Sequence, residues 1–189
     1  EHKALYRSIQ QEVPVDYYTI PFGKAAMIKE GNDVTVISFG AGVHWAMEIL
    51  SNHPEVSADL IDLRSLQPLD YETIFASVKK TGKVIILQED TMFGGIASDL
   101  SAAIMEACFE SLDAPVKRVA SLESPIPFMK NLEDQYFPKA RFVKELLTNL
   151  KGTYFDFCDC KIQKGRSPEK EIKIFFETNR YIENKSYKN

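Results

Sequence analysis

Few residues in this chain are of a type and spacing that could do chemistry. Glu89 and Asp90 are adjacent carboxylates directly after an apolar run, and paired carboxylates are raw material for general acid–base catalysis. The plainer reading of that pair is a solvated or Arg64-paired turn, since strand ends often carry acids with structural roles. Gly40-Ala41-Gly42 resembles the opening of a phosphate cradle, but it lacks a third glycine at the fingerprint spacing and any Gly-Lys-Ser/Thr end, so it reads as a tight turn. Gly94-Gly95 offers backbone donors at a helix start, yet the acids just before it would repel a phosphate. The three histidines, His2, His44 and His53, stand at unrelated positions, His2 in a terminal scrap, and none has a partner at metal-ligand spacing. Cys158-Asp159-Cys160 supplies two thiols where a structural zinc needs four ligands. No nucleophile stands beside a base. The residues therefore point to a chain that works with something else.

These candidates are positioned by an alternation of strands and helices. Val84 to Leu87 is an unbroken apolar run of strand length, suited to a strand buried on both faces. Gly94-Gly95 then turns the chain into a helix with apolar residues at Ile96, Leu100, Ala103, Ile104, Ala107 and Cys108. From Val34 the same strand–helix pairing recurs four times, with the last unit interrupted by an irregular stretch from Ser124 to Pro138. Such alternation predicts a three-layer α/β/α domain with a mostly parallel five-stranded sheet and one antiparallel edge strand. Ala25–Lys29 and Val34–Phe39 flank Glu30-Gly31-Asn32-Asp33, which reads as an edge hairpin. Asp70 is expected to cap one helix, and Gly82, after Lys79 and Lys80, to end it. In open parallel sheets ligands sit beyond the carboxyl ends of the strands, so Gly40, Arg64 and Glu89 define a candidate strand-end crevice.

Composition narrows the class further. The chain has 189 residues, 44% hydrophobic and 26% charged, enough for one good core and appendages. A formal net charge of -4 gives no general attraction to nucleic acid or an anionic membrane and suits a basic partner surface. Three cysteines make an odd set for a disulfide framework, and no segment reaches the length of a membrane span, so a soluble, cytoplasmic protein is expected. Residues 1–12 read as a helical scrap that closes something earlier. Residues 13–24, with two prolines before Phe22, read as a linker packed over a surface, and 25–150 as the domain. From 151 to 189 the rhythm stops, leaving an appendage of uncertain structure.

Two stretches look made for a partner. Glu110-Ser111-Leu112-Asp113-Ala114-Pro115 places acids at a helix end, where they oppose the helix dipole and would gain from a cationic neighbour. The proline-rich Ser124-Pro125-Ile126-Pro127-Phe128 is the other. The plain alternative for Asp113 is a turn-former ahead of proline.

Taken in order, EHKALYR, Ile20-Pro21-Phe22-Gly23-Lys24-Ala25, IDLRSLQPLD, SVKKTGKVIILQED, FESLDAPVKRV and SPIPF resemble the C-terminal domain of the β subunit of thiamine-diphosphate-dependent 2-oxo acid dehydrogenases, the E1 component of those complexes. The resemblance covers about residues 1 to 150. It implies a transketolase C-terminal-like fold, with EHKALYR closing a preceding pyrimidine-binding domain. It also implies that thiamine diphosphate and magnesium are held by earlier domains or by an α partner, so no cofactor residue carries over, and the isolated fragment is expected to be inactive. The implied roles are association with E1 α and β subunits, or a fused equivalent, as a homodimer or heterotetramer, and docking of the subunit-binding domain of the E2 acyltransferase. In the family the acid of the L-D-A-P turn takes a basic E2 side chain, and that position is Asp113. Relatives often have His-Glu where this chain has Gln88-Glu89. Two alternatives remain: the matching domain of a transketolase or deoxyxylulose phosphate synthase, or a free-standing ligand-binding regulatory module using the strand-end crevice.

Overall fold

Branched apolar residues in short runs, each followed by a helical pattern, fold here as the alternation demands. The computed structural model describes residues 2–10 and 12–151. A short 3-10 helix, Lys3–Arg7, comes first. Five strands follow: β1 (Ala26–Lys29), β2 (Val34–Ser38), β3 (Ala58–Asp62), β4 (Val84–Thr91) and β5 (Lys117–Ser121). The helices are α1 (Ala41–Asn52), α2 (Tyr71–Thr81), α3 (Ile96–Cys108), α4 (Lys130–Tyr136) and α5 (Lys139–Lys151). The sheet order is β1-β3-β2-β4-β5, with β1 antiparallel to β3 and the other pairs parallel.

Alternation along each strand builds the two outer layers. Val34, Val36, Leu60, Ile85 and Leu87 point to one face and pack with Ile49 and Leu50 of α1 and Phe142 and Leu146 of α5. Ile37, Ile61, Val84 and Ile86 point to the other, against Ile74 and Val78 of α2 and Leu100 and Ile104 of α3. Three layers result, as expected.

The expected hairpin is not formed. β1 is the antiparallel edge strand, but it pairs with β3, because both edges of β2 are taken by β3 and β4. The turn between β1 and β2 instead passes across the start of β3. Gly31 donates its N–H to Asp59 Oδ1 at 2.8 Å, and a Cβ at Gly31 would collide with the Ser57–Ala58 backbone. Its glycine is a matter of clearance rather than of hairpin chemistry. Asp70 does cap α2, accepting from Thr73 N–H at 3.3 Å, and Gly82 ends it in the left-handed region at φ 66°. Part of the stretch read as irregular is helical, namely α4, whose aromatic end Tyr136–Phe137 stacks toward Trp45 of α1.

The linker does not pack as expected. Val15 and Phe22 stand almost fully in solvent, at 102% and 89% exposure. Among the described residues both faces of the sheet are already covered by helices. The readings for residues 152–189, including Cys158 and Cys160, lie outside the described residues.

Candidate functional site

The carboxyl edge of the sheet is where a site was expected, and the chain fills it with its own contacts. Gln88, wholly buried within β4, donates through Nε2 to Thr91 O and accepts the Ala97 N–H at 2.9 Å through Oε1. It thereby ties the strand end to the first turn of α3, where Gly95 supplies no capping side chain. A Cβ at Gly95 would run into the Gln88 amide, so the second glycine of Gly94-Gly95 makes room for this brace. Ser38 Oγ donates to Leu87 O at 2.8 Å, and Ser121 Oγ donates to Glu89 O. Glu123 accepts the Phe93 N–H at 2.8 Å.

Of the three crevice residues, Gly40 and Glu89 flank a common neighbour. His2 Nε2 lies 2.5 Å from Glu89 Oε2, and its ring stands 3.5 Å from where a Cβ on Gly40 would be. Arg64 follows β3 at the same edge with φ 53°. Its backbone N–H meets Asp62 Oδ1 at 3.1 Å, its side chain is exposed, and the Glu89 carboxylate goes to His2 instead. Asp90 turns away to accept the Thr91 N–H at 2.8 Å. Glu89 and Asp90 therefore do not converge as an acid–base pair. His53 binds Glu55 at 3.0 Å, and His44 is exposed on α1. Among the described residues no group of three or more His, Cys, Asp or Glu could hold a metal ion.

The amino edge is different. Residues just ahead of four strands, Asn32 and Asp33, Glu55, Thr81 and Lys83, and Asp113, line a cavity of about 640 Å³ together with Leu147 of α5. Three carboxylates face one ammonium there. Asp33 accepts the Ser57 N–H at 2.9 Å. A hydrogen bond from its own backbone N–H, and then one from His53, hold the Glu55 carboxyl below its ordinary range. Asp113 is placed by its backbone N–H, which donates to Gly82 O at 2.8 Å, and its exposed carboxylate has no donor among the described residues. A Cβ at Gly82 would collide with Asp113 Oδ2, so the glycine that ends α2 also makes room for this acid.

Beneath the cavity lies a buried polar network. Asp59, with no exposed surface, accepts from Gly31 N–H, from Ser77 Oγ at 2.5 Å and from Lys80 Nζ at 2.7 Å. Thr35 links Ser77 and Thr81 at 2.7 Å each. Asp59 was not among the site residues read from the sequence, and neither were His2, Gln88 or the Asp33–Glu55 pair. Only Asp59 carried a signal, as an acid inside the apolar run of β3.

Sheet order, helices on both faces and one antiparallel edge strand define a three-layer α/β domain with an acid-lined amino edge. The chain belongs to the transketolase C-terminal domain family, whose model, described as transketolase, C-terminal domain, matches residues 23–143. It is similar to the mitochondrial 2-oxoisovalerate dehydrogenase subunit beta of Dictyostelium discoideum, 44% identical over 73% of this chain and 38% of the relative. The pyruvate dehydrogenase E1 component subunit beta of Bacillus subtilis is 42% identical over 77% of this chain and 45% of the relative. A solved split-gene transketolase, described as an inactive beta4 tetramer, superposes with a TM-score of 0.58 at 26% identity, covering 74% of this chain and 45% of that one. The chain thus spans less than half the length of these relatives. No helix among the described residues is long and apolar enough to cross a membrane.

Proposed function

We propose that this chain is the C-terminal domain, residues 25–150, of a 2-oxo acid dehydrogenase E1 component, with residues 1–12 closing a pyrimidine-binding domain and 13–24 as the linker. In that parent it joins subunits and docks the E2 acyltransferase, while oxidative decarboxylation of a 2-oxo acid and acylation of the lipoyl group proceed on thiamine diphosphate and magnesium held outside this chain. The observation that carries the docking role is Asp113, an exposed carboxylate without a donor among the described residues on the rim of an acid-lined cavity. Such an edge attracts a cationic side chain, steers its approach and sets its register.

Subunit association finds its support elsewhere on the surface. Phe93 at 87% exposure, Phe128 at 102% and the linker's Val15 and Tyr17 at 102% and 93% are large apolar side chains left in water. Exposure of that kind marks surfaces that a partner covers. Copies of the E1 subunits, separate or fused, are the natural cover. Cys108, a buried free thiol whose pKa burial raises, suits a reducing compartment such as the cytoplasm, and the Dictyostelium relative is named as mitochondrial.

Calorimetric titration of a cognate E2 subunit-binding domain into the chain tests the docking role. Asp113→Ala is expected to weaken binding by about 2 kcal/mol, roughly thirtyfold. Unchanged affinity would remove Asp113 from the interface. The purified chain is expected to leave pyruvate and branched 2-oxo acids untouched, and carbon dioxide release by it would contradict the division of labour.

A further inference from the structure

Residues 2–10 add no strand to the sheet and no layer to the core, yet their first side chain reaches the carboxyl edge. His2 Nε2 meets Glu89 Oε2 across 87 positions of sequence, with the two side chains 26% and 33% exposed. The ring lies beside Gly40, where a Cβ would stand in ordinary van der Waals contact with it. Glu89 is a fixed post, because its carbonyl takes the Ser121 hydroxyl and its neighbour Gln88 braces β4 to α3. We infer that this crevice is a socket for residues 2–10 of the same chain: Glu89 holds His2 as a plug at the place where sheets of this class take ligands.

The energetics make Glu89 decisive for the seat. His2 Nδ1 is buried without a partner among the described residues, so among them seating the ring leaves one nitrogen unsatisfied. The bond at Nε2 has to offset that loss, and Glu89 is the group that makes it. A partly desolvated pair of this kind is stronger than a surface pair in open water. Backbone order in the segment follows from the anchor, since Leu5 N–H donates to His2 O and Ser8 N–H to Leu5 O. The inference concerns this chain's own residues and does not depend on the E1 reading.

Trypsin cleavage after Arg7, followed by intact mass on the 189-residue chain, reads the seat directly. His2→Ala and Glu89→Ala are each expected to speed this cleavage about tenfold, because the segment opens locally without global unfolding. The double variant is expected to go no faster than either single one. Glu89→Gln keeps an acceptor for the Nε2 proton and should restore most of the protection. Cleavage after Lys80 inside α2 should be equal in all variants. Unchanged cleavage after Arg7 in the single variants would overturn the socket, as would effects that multiply in the double variant. Loss of protection in Glu89→Gln equal to that in Glu89→Ala would overturn it too.

Discussion

At the carboxyl edge of the sheet Gln88, Glu89 and Ser121 direct their polar atoms at other parts of the same chain, whereas at the amino edge Asp113 holds its carboxylate up with no donor among the described residues. Both edges are loops at the ends of the same strands, and both carry acids, so acidity alone does not mark a docking face. What sets Asp113 apart from the bonded acids of both edges, Asp33 and Glu55 included, is satisfaction. A carboxylate already bonded at home has little to offer a partner, and one that is placed by its backbone but unpaired has its full charge to offer. The amino edge is also firm underneath, because the Asp59 network pins α2 to β2 and β3 a short way below the open rim.

Substitutions that remove a satisfied brace should therefore cost stability, and those at the open rim should not. The largest loss is expected for Asp59→Ala, about 3 kcal/mol, because Gly31 N–H and Ser77 lose a buried acceptor while half-exposed Lys80 can turn to water. A urea midpoint measures it, and a small change would mean the network is not what joins α2 to the sheet. Gln88→Ala comes next at about 2 kcal/mol, with Ala97 N–H and Thr91 O left bare and a cavity against Gly95. A cost near zero there would erase the contrast between the two edges.

Gly82→Ala tests the rim itself. Alanine at φ 66° is strained, and its methyl would strike Asp113 Oδ2, so a loss of about 1.5 kcal/mol is expected. Adding Asp113→Ala should recover the steric share and leave the backbone share. Strict additivity of the two substitutions would show that the acid does not lean on Gly82 in solution.

Asp70, at the start of α2 on the carboxyl edge, gives an acid-side counterpart. Burial alone would raise its carboxyl, but hydrogen bonds from Ala25 N–H and Thr73, with Lys24 3.7 Å away, outweigh burial and hold it below the ordinary value. A lowered folded value means that this stabilisation is complete above the unfolded pKa of about 4 and is lost as pH falls through the folded one. Asp70→Asn is expected to cost about 1 kcal/mol at neutral pH and to flatten the stability curve below about pH 4. An unchanged acid limb would put the charge of Asp70 outside the balance.

Local rules carried the architecture. Val84–Leu87, Asp70 and Gly82 each state their role through neighbours within a few positions, so strands, helices and caps could be read from order alone. Pairing could not be read that way. Gly31-Asn32 has hairpin composition, yet β2 has no free edge, and that is a property of β3 and β4 far along the chain. The site divides on the same line. Asp113 could be singled out in the sequence because its turn chemistry and its motif are local. His2 and Gln88 could not, because the first finds its partner 87 positions away and the second acts through a helix start that its own strand does not contain.

The smallest expected effect is the most telling. Asp113→Ala removes an exposed side chain with no donor among the described residues, so stability should move by no more than about 0.5 kcal/mol while the backbone bond from residue 113 to Gly82 O persists. Should the same variant lose E2 binding, the acid is held ready for a partner and serves no internal purpose. A loss of stability beyond 1 kcal/mol would instead show that Asp113 is braced within the chain, and the two edges would then differ in degree and not in kind.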